Sequence, residues 1–204
     1  MARVSPLSNA DIPKLGILIS GRGSHFKNIL DATLDCILPA KIALVCSNNI
    51  DAPGLKYAEH AHVPIYAQTP SKIGGLSVFE EGMIHALQEK HVDLIVLAGY
   101  MRILSPSFIQ TFPKKIINIH PSLLPAFKGL NAQEQAFDYG VKITGCTTHY
   151  VTEDLDSGEI IAQKAVPILD TDTLASLNKR LLLEEHQLLL ETLLKWCLLF
   201  RKER

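Results

Sequence analysis

Two side chains suited to acyl transfer stand two positions apart in the segment 118–125, Asn-Ile-His-Pro-Ser-Leu-Leu-Pro. The apolar residues before this segment predict a buried β-strand, so the alternating side chains of Asn118 and His120 should point to one side. Pro121 and Pro125 prevent the strand from continuing, which places the pair at a strand's carboxyl end, where open α/β sheets bind ligands. There the amide could stabilise a developing oxyanion, and the imidazole could act as a general acid or base. Taken alone, the histidine is better explained as a side chain that a backbone carbonyl holds under a loop.

The glycine-rich turn 20–25, Ser-Gly-Arg-Gly-Ser-His, follows the first predicted strand and opens the first predicted helix. Its glycines let the backbone approach a ligand closely, Ser24 can cap the helix, and the free N–H groups of the helix start suit a phosphate. A dinucleotide site is disfavoured because Phe26 stands where the third glycine is needed, and no Gly-Lys-Ser/Thr ending marks a P-loop. A single phosphate monoester and a plain tight turn stay open as interpretations.

Two loops and one helix carry further candidates. The loop 99–104, Gly-Tyr-Met-Arg-Ile-Leu, suits a flat heterocycle, although Arg102 is equally consistent with a solvated surface charge. Asp156 lies in an acidic loop, where its simplest interpretation is a turn residue; if it meets His120, it would favour the imidazolium form. Glu-Glu-His at 184–186 lies on a leucine-rich helix and by itself predicts a solvated helical face.

Apolar runs that alternate with helical patterns indicate how these candidates are positioned. Five strands are predicted over residues 15–19, 41–46, 63–66, 93–98 and 115–119. Four helices are predicted between them, over residues 25–33, 54–60, 76–90 and 106–112. Near-continuous apolar strands that alternate with helices are typical of a parallel sheet covered on both faces.

The pattern changes after residue 130. A helix over 132–139 leads into two longer predicted strands, 142–151 and 159–167, which only seven residues join. Because a parallel crossover needs about a dozen residues, these strands are expected to be antiparallel neighbours. A last helix over 174–200 is expected to pack back on the sheet, and it carries too many charges for a membrane span.

Composition indicates an ordinary soluble globular protein. The 204 residues are 47% hydrophobic and carry a formal charge of -1. This charge balance provides no excess of basic residues that would attract nucleic acid. The four cysteines lack metal-ligand or redox spacing, so reduced thiols and a cytoplasmic location are the default. Residues 1–13 are polar and lack the apolar core of a signal peptide. We expect a single domain over 1–204, with 1–13 as a poorly ordered extension.

Four segments together resemble the phosphoribosylglycinamide formyltransferases, the folate-dependent glycinamide ribonucleotide transformylases of purine synthesis. They are Ser-Gly-Arg-Gly-Ser at 20–24, Leu-Ala-Gly-Tyr-Met-Arg-Ile-Leu-Ser at 97–105, the segment 118–125, and Gly-Cys-Thr-Thr-His-Tyr-Val-Thr-Glu-Asp-Leu-Asp-Ser-Gly at 145–158. The first is loose alone, whereas the last two are specific to the formyltransferase superfamily. The likeness covers nearly the whole chain, and the segments stand in the family's order and spacing.

The resemblance implies a three-layer α/β/α domain with a mostly parallel seven-stranded sheet and one antiparallel strand near the C-terminal end. It implies transfer of the formyl group of 10-formyltetrahydrofolate to the amine of glycinamide ribonucleotide in IMP biosynthesis. The implied catalytic residues are Asn118, His120 and Asp156, and no metal is required. The implied ribonucleotide contacts are Gly23, Ser24, His25 and Glu185. The implied folate contacts are Met101, Arg102, Ile103, Leu104, Asn118, Thr152, Glu153, Asp154, Leu155 and Asp156.

The chemistry of such a transfer assigns a role to each catalytic side chain. The amine attacks the formyl carbon directly, so no serine or cysteine nucleophile is needed. Asn118 and protonated His120 would stabilise the charge on the formyl oxygen, and Asp156 would keep His120 charged. The expected partners are the two small-molecule substrates, without nucleic acid or membrane, and the protein is expected to be a monomer or homodimer.

The nearest alternative is formyltetrahydrofolate deformylase, a hydrolase that shares the Asn-x-His and Asp groups but passes the formyl group to water. Its relatives carry an additional N-terminal regulatory domain, and the glycine-rich phosphate turn favours the transferase. Methionyl-tRNA formyltransferases add a C-terminal tRNA-binding domain and basic surface. A non-catalytic phosphate-binding module would explain the turn 20–25 but not the convergence of Asn118, His120 and Asp156.

The chain departs from the family's pattern at four positions. His25 replaces the usual asparagine, so phosphate contact there rests on the backbone N–H or on a new imidazole contact. Leu76 lies in a region where relatives carry an arginine near the folate. Asn131 stands where many have histidine, and Leu182 where a polar residue is common. None of the four belongs to the implied catalytic group.

Overall fold

The computed structural model describes residues 12–202, which form one seven-stranded sheet flanked by helices. The strands in chain order are β1 (Lys14–Ile19), β2 (Lys41–Ser47), β3 (Ile65–Ala67), β4 (Leu94–Leu97), β5 (Ile116–His120), β6 (Ile143–Tyr150) and β7 (Ile160–Pro167). The helices are α1 (Ser24–Leu34), α2 (Leu55–His60), α3 (Leu76–Glu89), α4 (Pro106–Thr111), α5 (Ala132–Tyr139) and α6 (Leu174–Phe200). A short 3-10 helix, Pro70–Lys72, precedes α3.

The sheet has the strand order β3-β2-β1-β4-β5-β6-β7. All neighbouring pairs from β3 to β5 are parallel, whereas β6 runs antiparallel to both β5 and β7. The short β6–β7 connection leaves no room for a crossover, which is why these neighbours are antiparallel. The predicted mostly parallel sheet with one antiparallel strand is therefore confirmed.

The alternation of side chains along β1 separates the two helical layers. Ile17 packs with Phe26 of α1 and Leu189 of α6 on one face of the sheet. The next residue, Leu18, packs with Phe79 of α3 on the opposite face. All five side chains are fully buried, and each such burial stabilises the fold by about 1.5–3 kcal/mol. The three-layer α/β/α architecture thus follows from strands that are apolar on both faces.

Most element boundaries agree with the sequence-based prediction to within one residue, and the start of β3 differs by two. Strand β3 begins at Ile65 rather than at residue 63, because Val63 N bonds to Ala58 O (2.9 Å) and completes the turn that ends α2. Of the predicted extension 1–13, residues 1–11 lie outside the described residues. Pro13 is buried, and its carbonyl oxygen accepts a hydrogen bond from Lys41 N (2.9 Å).

Helix α6 has 27 residues and crosses one face of the sheet. It begins with a capping box, in which the Thr173 and Ser176 side chains each accept the other's backbone N–H. Within residues 12–202, no helix combines the length and apolarity needed to cross a bilayer. The apolar content of α6 instead serves the core, through buried leucines that include Leu177, Leu181 and Leu188.

Candidate active site

The carboxyl ends of β1, β4 and β5 lie at one edge of the sheet, because the three strands are parallel neighbours. Hydrogen bonds join the turns that leave β1 and β4. Ser20 N donates to Gly99 O (3.1 Å), and Met101 N donates to Ser20 Oγ (2.8 Å). The glycine-rich turn, the loop after β4 and the end of β5 therefore lie side by side.

Antiparallel pairing of β5 and β6 places a second histidine beside Asn118. Asn118 is opposite His149 in the ladder, and Asn118 Nδ2 lies 3.2 Å from His149 Nε2. His149 Nδ1 lies 2.9 Å from the carbonyl oxygen of Tyr150. Because a carbonyl oxygen can only accept, Nδ1 carries a proton, and in the neutral ring Nε2 accepts from the Asn118 amide. His149 thus fixes which way the Asn118 amide faces.

Asp156 brings the two histidines together. Its carboxylate lies 3.3 Å from His120 Nδ1 and 3.6 Å from His149 Nε2, and it accepts a hydrogen bond from Gly129 N (2.9 Å). Burial alone would raise the pKa of Asp156. The adjacent His149 ring, the hydrogen bond from Gly129 N and the charge of His120 together outweigh burial and hold this pKa below its ordinary value. Asp156 is therefore more than a turn residue, although its φ of +46° does place it at a turn.

Both ring nitrogens of His120 face hydrogen-bond acceptors. Nδ1 faces the Asp156 carboxylate, and Nε2 lies 2.9 Å from the carbonyl oxygen of Phe127. Each ring nitrogen of His120 therefore has an acceptor to which it can donate a hydrogen bond. From the sequence alone, a backbone carbonyl was expected to hold His120 under a loop. The structure contains that contact, to Phe127 O, and the contact with Asp156 as well. The His120 side chain is only 6% exposed, so solvent does little to weaken either interaction.

Sequence reasoning did not select His149 as a site residue. The sequence does indicate that Thr147 and His149 share one face of β6, as Asn118 and His120 share one face of β5. The register that sets His149 opposite Asn118 depends on how the two strands pair. That pairing is a tertiary property, which the segment 145–158 does not specify locally.

The glycine-rich turn has the geometry of a helix start without a side-chain cap. Gly23 is the N-cap residue of α1, with φ +70° and ψ 33°, and no side chain accepts from the first turn. The prediction that Ser24 caps the helix is wrong, because Ser24 is already its first helical residue. A Cβ added at Gly23 would lie 3.0 Å from Gly54 Cα, so both conformation and space require glycine. The first-turn N–H groups are left free for an anion.

Glu185 points into the protein toward the same turn. Its residue is 5% exposed, and its carboxylate Oε2 lies 2.9 Å from His25 Nε2. The solvated helical face that the sequence alone predicted is therefore wrong for this residue. Contact with α1 explains the difference, because α6 lies against α1 and turns Glu185 inward. Asn28 Nδ2 donates to His186 O (3.1 Å) and ties the two helices at the same level.

The residues predicted to bind folate are mostly exposed beside this edge. In the loop after β4, Met101 is 69% and Ile103 68% exposed, whereas Leu104 is buried in the core with the α4 residue Phe108. In the loop after β6, four of the predicted residues are exposed: Thr152, Glu153, Asp154 and Leu155. Glu153 accepts a hydrogen bond from Gln110 Nε2 (2.9 Å), which joins this loop to α4. Arg102 is also exposed, as its interpretation as a surface charge requires.

The polar groups at this edge suit charge stabilisation. The part of the chain that the structure describes contains no group of three or more His, Cys, Asp or Glu side chains able to hold a metal ion. The site combines a fixed amide, a histidine whose two ring nitrogens face acceptors, and a carboxylate of lowered pKa. Such a set can bind a developing oxyanion.

Comparison with known proteins identifies a family. Residues 13–193 match the family model described as formyl transferase. The phosphoribosylglycinamide formyltransferase of Bacillus subtilis is 42% identical over 174 residues, covering 85% of this chain and 89% of that protein. The crystal structure of glycinamide ribonucleotide transformylase 1 from Symbiobacterium toebii superposes with a TM-score of 0.89 at 41% identity, covering 96% of this chain and 93% of the other.

Longer proteins contain a similar segment. The human trifunctional purine biosynthetic protein adenosine-3 is 43% identical over 175 residues, which are 86% of this chain. The aligned segment is only 17% of the human protein, and the bovine and chicken proteins of the same name are covered to the same extent. The chain therefore corresponds to one part of these trifunctional relatives and to most of the length of the bacterial one.

Proposed function

The chain belongs to the formyl transferase family, and on that basis we propose that it transfers the formyl group of 10-formyltetrahydrofolate to the amine of glycinamide ribonucleotide. The observation that carries this proposal is the convergence of Asn118, His120 and Asp156 at the carboxyl end of β5. The activities for which the bacterial relatives are named support the same assignment. The reaction belongs to purine biosynthesis, and its product carries a formamide on the ribonucleotide.

The two substrates enter from different sides of the edge. The ribonucleotide places its phosphate on the first turn of α1, at Gly23, Ser24 and His25, and reaches Glu185 with its remaining polar groups. These assignments rest on the free N–H groups of the helix start and on the inward direction of Glu185. The folate lies against the loops 101–104 and 152–156, whose exposed apolar residues suit a flat heterocycle.

The chemical step is a direct displacement at the formyl carbon. The amine lone pair forms a C–N bond, and the carbonyl π electrons move to the formyl oxygen. When the tetrahedral intermediate collapses, the bond from carbon to folate N10 breaks and N10 gains the proton that the amine has lost. Asn118 and the His120 imidazolium donate to the oxyanion, an effect for which removing one donor typically costs about two to three powers of ten in rate.

Each donor is held by a neighbour that the structure describes. His149 Nε2 accepts one N–H of the Asn118 amide, which leaves the second N–H for the formyl oxygen. Asp156 accepts from His120 Nδ1 and so keeps the ring charged, while Nε2 faces the Phe127 carbonyl oxygen. Nε2 must exchange that carbonyl for the formyl oxygen when the folate binds. The proton passes from the amine to the folate through water.

We further propose a single formyltransferase domain over 1–204 that works in the cytoplasm as a monomer or homodimer. Its partners are the two small-molecule substrates, without nucleic acid, membrane or metal. The near-neutral charge and the scattered, reduced cysteines support this assignment. Cys46, Cys146 and Cys197 are buried as small apolar groups.

The decisive experiment follows the absorbance change of 10-formyltetrahydrofolate with and without glycinamide ribonucleotide. A transferase consumes the folate only when the ribonucleotide is present, and the formylated ribonucleotide accumulates in equal amount. Folate deformylation at the same rate without ribonucleotide would instead identify a hydrolase. Asn118→Ala serves as the background control, because it removes an oxyanion donor in either reaction.

A further inference from the structure

Two side chains from outside the loop 101–104 hold its two ends. At the first end, Met101 N donates a hydrogen bond to Ser20 Oγ (2.8 Å), across 81 positions of the chain. At the other end, Ser105 N lies 3.2 and 3.3 Å from the two carboxylate oxygens of Glu80 on α3. Between residues 12 and 202, no other backbone N–H or carbonyl group of the loop 101–104 makes a hydrogen bond. These two contacts therefore fix where the backbone of the loop begins and ends.

The Ser20 contact ties together the ends of three neighbouring strands. Ser20 is the residue after β1, which lies between β2 and β4 in the sheet. Its hydroxyl donates to Oδ1 of Asn48, the residue after β2 (2.6 Å). Because a serine hydroxyl has a single proton, this donation leaves its lone pairs for the N–H of Met101. Asn48 thus sets the direction of the Ser20 hydroxyl, and the hydroxyl sets the position of Met101.

The Glu80 contact attaches the other end of the loop to two helices. Glu80 is 3% exposed and lies on α3 beside the core residue Phe79. A carboxylate buried in this way needs a hydrogen-bond donor, and Ser105 N supplies one. Ser105 is also the N-cap of α4, where its Oγ accepts from Phe108 N (3.2 Å). Since Leu104 and Phe108 are buried with Phe79 in one core cluster, this end of the loop cannot move without disturbing α3 and α4.

We propose that Ser20 and Glu80 are positioning residues for the folate: by holding the two ends of the loop 101–104, they keep its free backbone groups and exposed side chains in the arrangement that a flat heterocycle requires. This inference rests on the proposed function, because it assigns supporting residues to the folate loop of that site. It also divides the glycine-rich turn 20–25 between the two substrates. Ser20 at its start serves the folate, whereas Gly23 at the helix start serves the ribonucleotide.

Releasing one end of the loop should weaken folate binding and leave the chemical step largely unchanged. When only a fraction of the molecules holds the competent loop conformation, the apparent dissociation constant rises by the inverse of that fraction. A neutral hydrogen bond favours the held conformation by about two- to tenfold, so Ser20→Ala should raise the KM for the folate by about that factor. Glu80→Ala removes a charged acceptor and should raise it further. The KM for the ribonucleotide and kcat should change less in both variants.

The test is steady-state formyl transfer by the full chain with each substrate varied in turn, together with equilibrium titration of 10-formyltetrahydrofolate. The variants are Ser20→Ala, Glu80→Ala and Glu80→Gln, each checked for folding by circular dichroism. Glu80→Gln keeps an oxygen acceptor on a side chain of the same length, so it should retain much of the folate affinity that Glu80→Ala loses. Glu81→Ala is the matched control and should bind folate as the native protein does, because Glu81 is exposed on the same helix and accepts from the Ser77 hydroxyl (3.2 Å).

A larger rise in the KM for the ribonucleotide than for the folate in Ser20→Ala would overturn the inference, because Ser20 would then belong to the ribonucleotide site. Unchanged folate affinity in a folded Ser20→Ala or Glu80→Ala protein would also overturn it, and would leave these contacts as parts of the fold alone. The folate titration keeps this result separate from the larger proposal. If the native protein binds the folate but does not formylate the ribonucleotide, the proposed transfer fails, while the folate affinities of the variants still decide the role of Ser20 and Glu80. If the native protein does not bind the folate, both fail.

Discussion

His120 Nε2 lies 2.9 Å from the carbonyl oxygen of Phe127, so the nitrogen expected to face the formyl oxygen already has a partner. Phe127 adopts φ +52°, a conformation that bulky residues rarely take. Two contacts hold the same loop: Gly129 N donates to Asp156, and Lys128 Nζ donates to Ser157 Oγ (2.5 Å). The carbonyl thus occupies Nε2 before substrate binds, and we expect the formyl oxygen to take its place.

The first prediction concerns His120 as an oxyanion donor. His120→Ala should lower kcat by about two to three powers of ten, because it removes a charged donor from the transition state. His120→Gln, which keeps an N–H donor without the charge, should lose less. Both are measured by steady-state formyl transfer, with circular dichroism and ribonucleotide binding as checks of folding. Near-native turnover in a folded His120→Ala protein would remove His120 from the mechanism.

The second prediction concerns the pH dependence of stability through Asp156. Its pKa in the folded protein lies below the ordinary value of 3.8, so its stabilising contribution is present above that value and is lost as pH falls through the folded pKa. Asp156→Asn should therefore be less stable than the native protein at pH 7, and the difference should shrink as pH falls below about 4. Asparagine also tolerates the positive φ at this position.

Urea unfolding at several pH values between neutral and acid measures this difference. Asp172 also has a lowered pKa, from backbone and side-chain hydrogen bonds, but it is unchanged in both proteins and cancels in the comparison. A stability difference that stays constant across the acid range would show that the Asp156 charge does not interact with the two histidines. Formyl-transfer activity of Asp156→Asn should also fall, since His120 Nδ1 loses its carboxylate partner.

The third prediction assigns His149 a positioning role. His149→Gln removes the ring nitrogen that orients the Asn118 amide, and one lost hydrogen bond of this kind corresponds to about 0.5–1.5 kcal/mol, or up to about tenfold in kcat. The KM values for both substrates should change less, because His149 is 2% exposed and lies behind Asn118. A larger change in KM than in kcat would place His149 in substrate binding instead.

The fourth prediction compares two glycines of the same turn. Gly23→Ala should raise the KM for the ribonucleotide far more than that for the folate, because a Cβ would meet Gly54 Cα at 3.0 Å and strain a residue at φ +70°. Gly21→Ala is the matched control: its Cβ would have no atom within 4 Å. Steady-state kinetics with each substrate varied in turn gives the answer. A Gly23→Ala protein that loses folate affinity alone would show that the two substrate sites are assigned the wrong way round.

Local sequence determined much of this protein. The alternation of apolar strands with helical patterns was sufficient to predict the mostly parallel sheet, because a strand buried on both faces must be apolar throughout. The predicted connection of seven residues between the last two strands was sufficient to predict an antiparallel pair, because it is too short for a crossover. The positions of Asn118 and His120 at the end of β5 likewise follow from strand periodicity and the following prolines.

Contacts between residues far apart in the chain were decided only by the tertiary structure. The register of β6 on β5 set His149 opposite Asn118, and the packing of α6 on α1 turned Glu185 inward to meet His25 across 160 positions. Local sequence specifies neither contact: a histidine on a strand or a glutamate on a leucine-rich helix is compatible with solvent until a neighbouring element covers it. Burial and pairing, which give these polar groups their chemistry, are properties of the packed elements together.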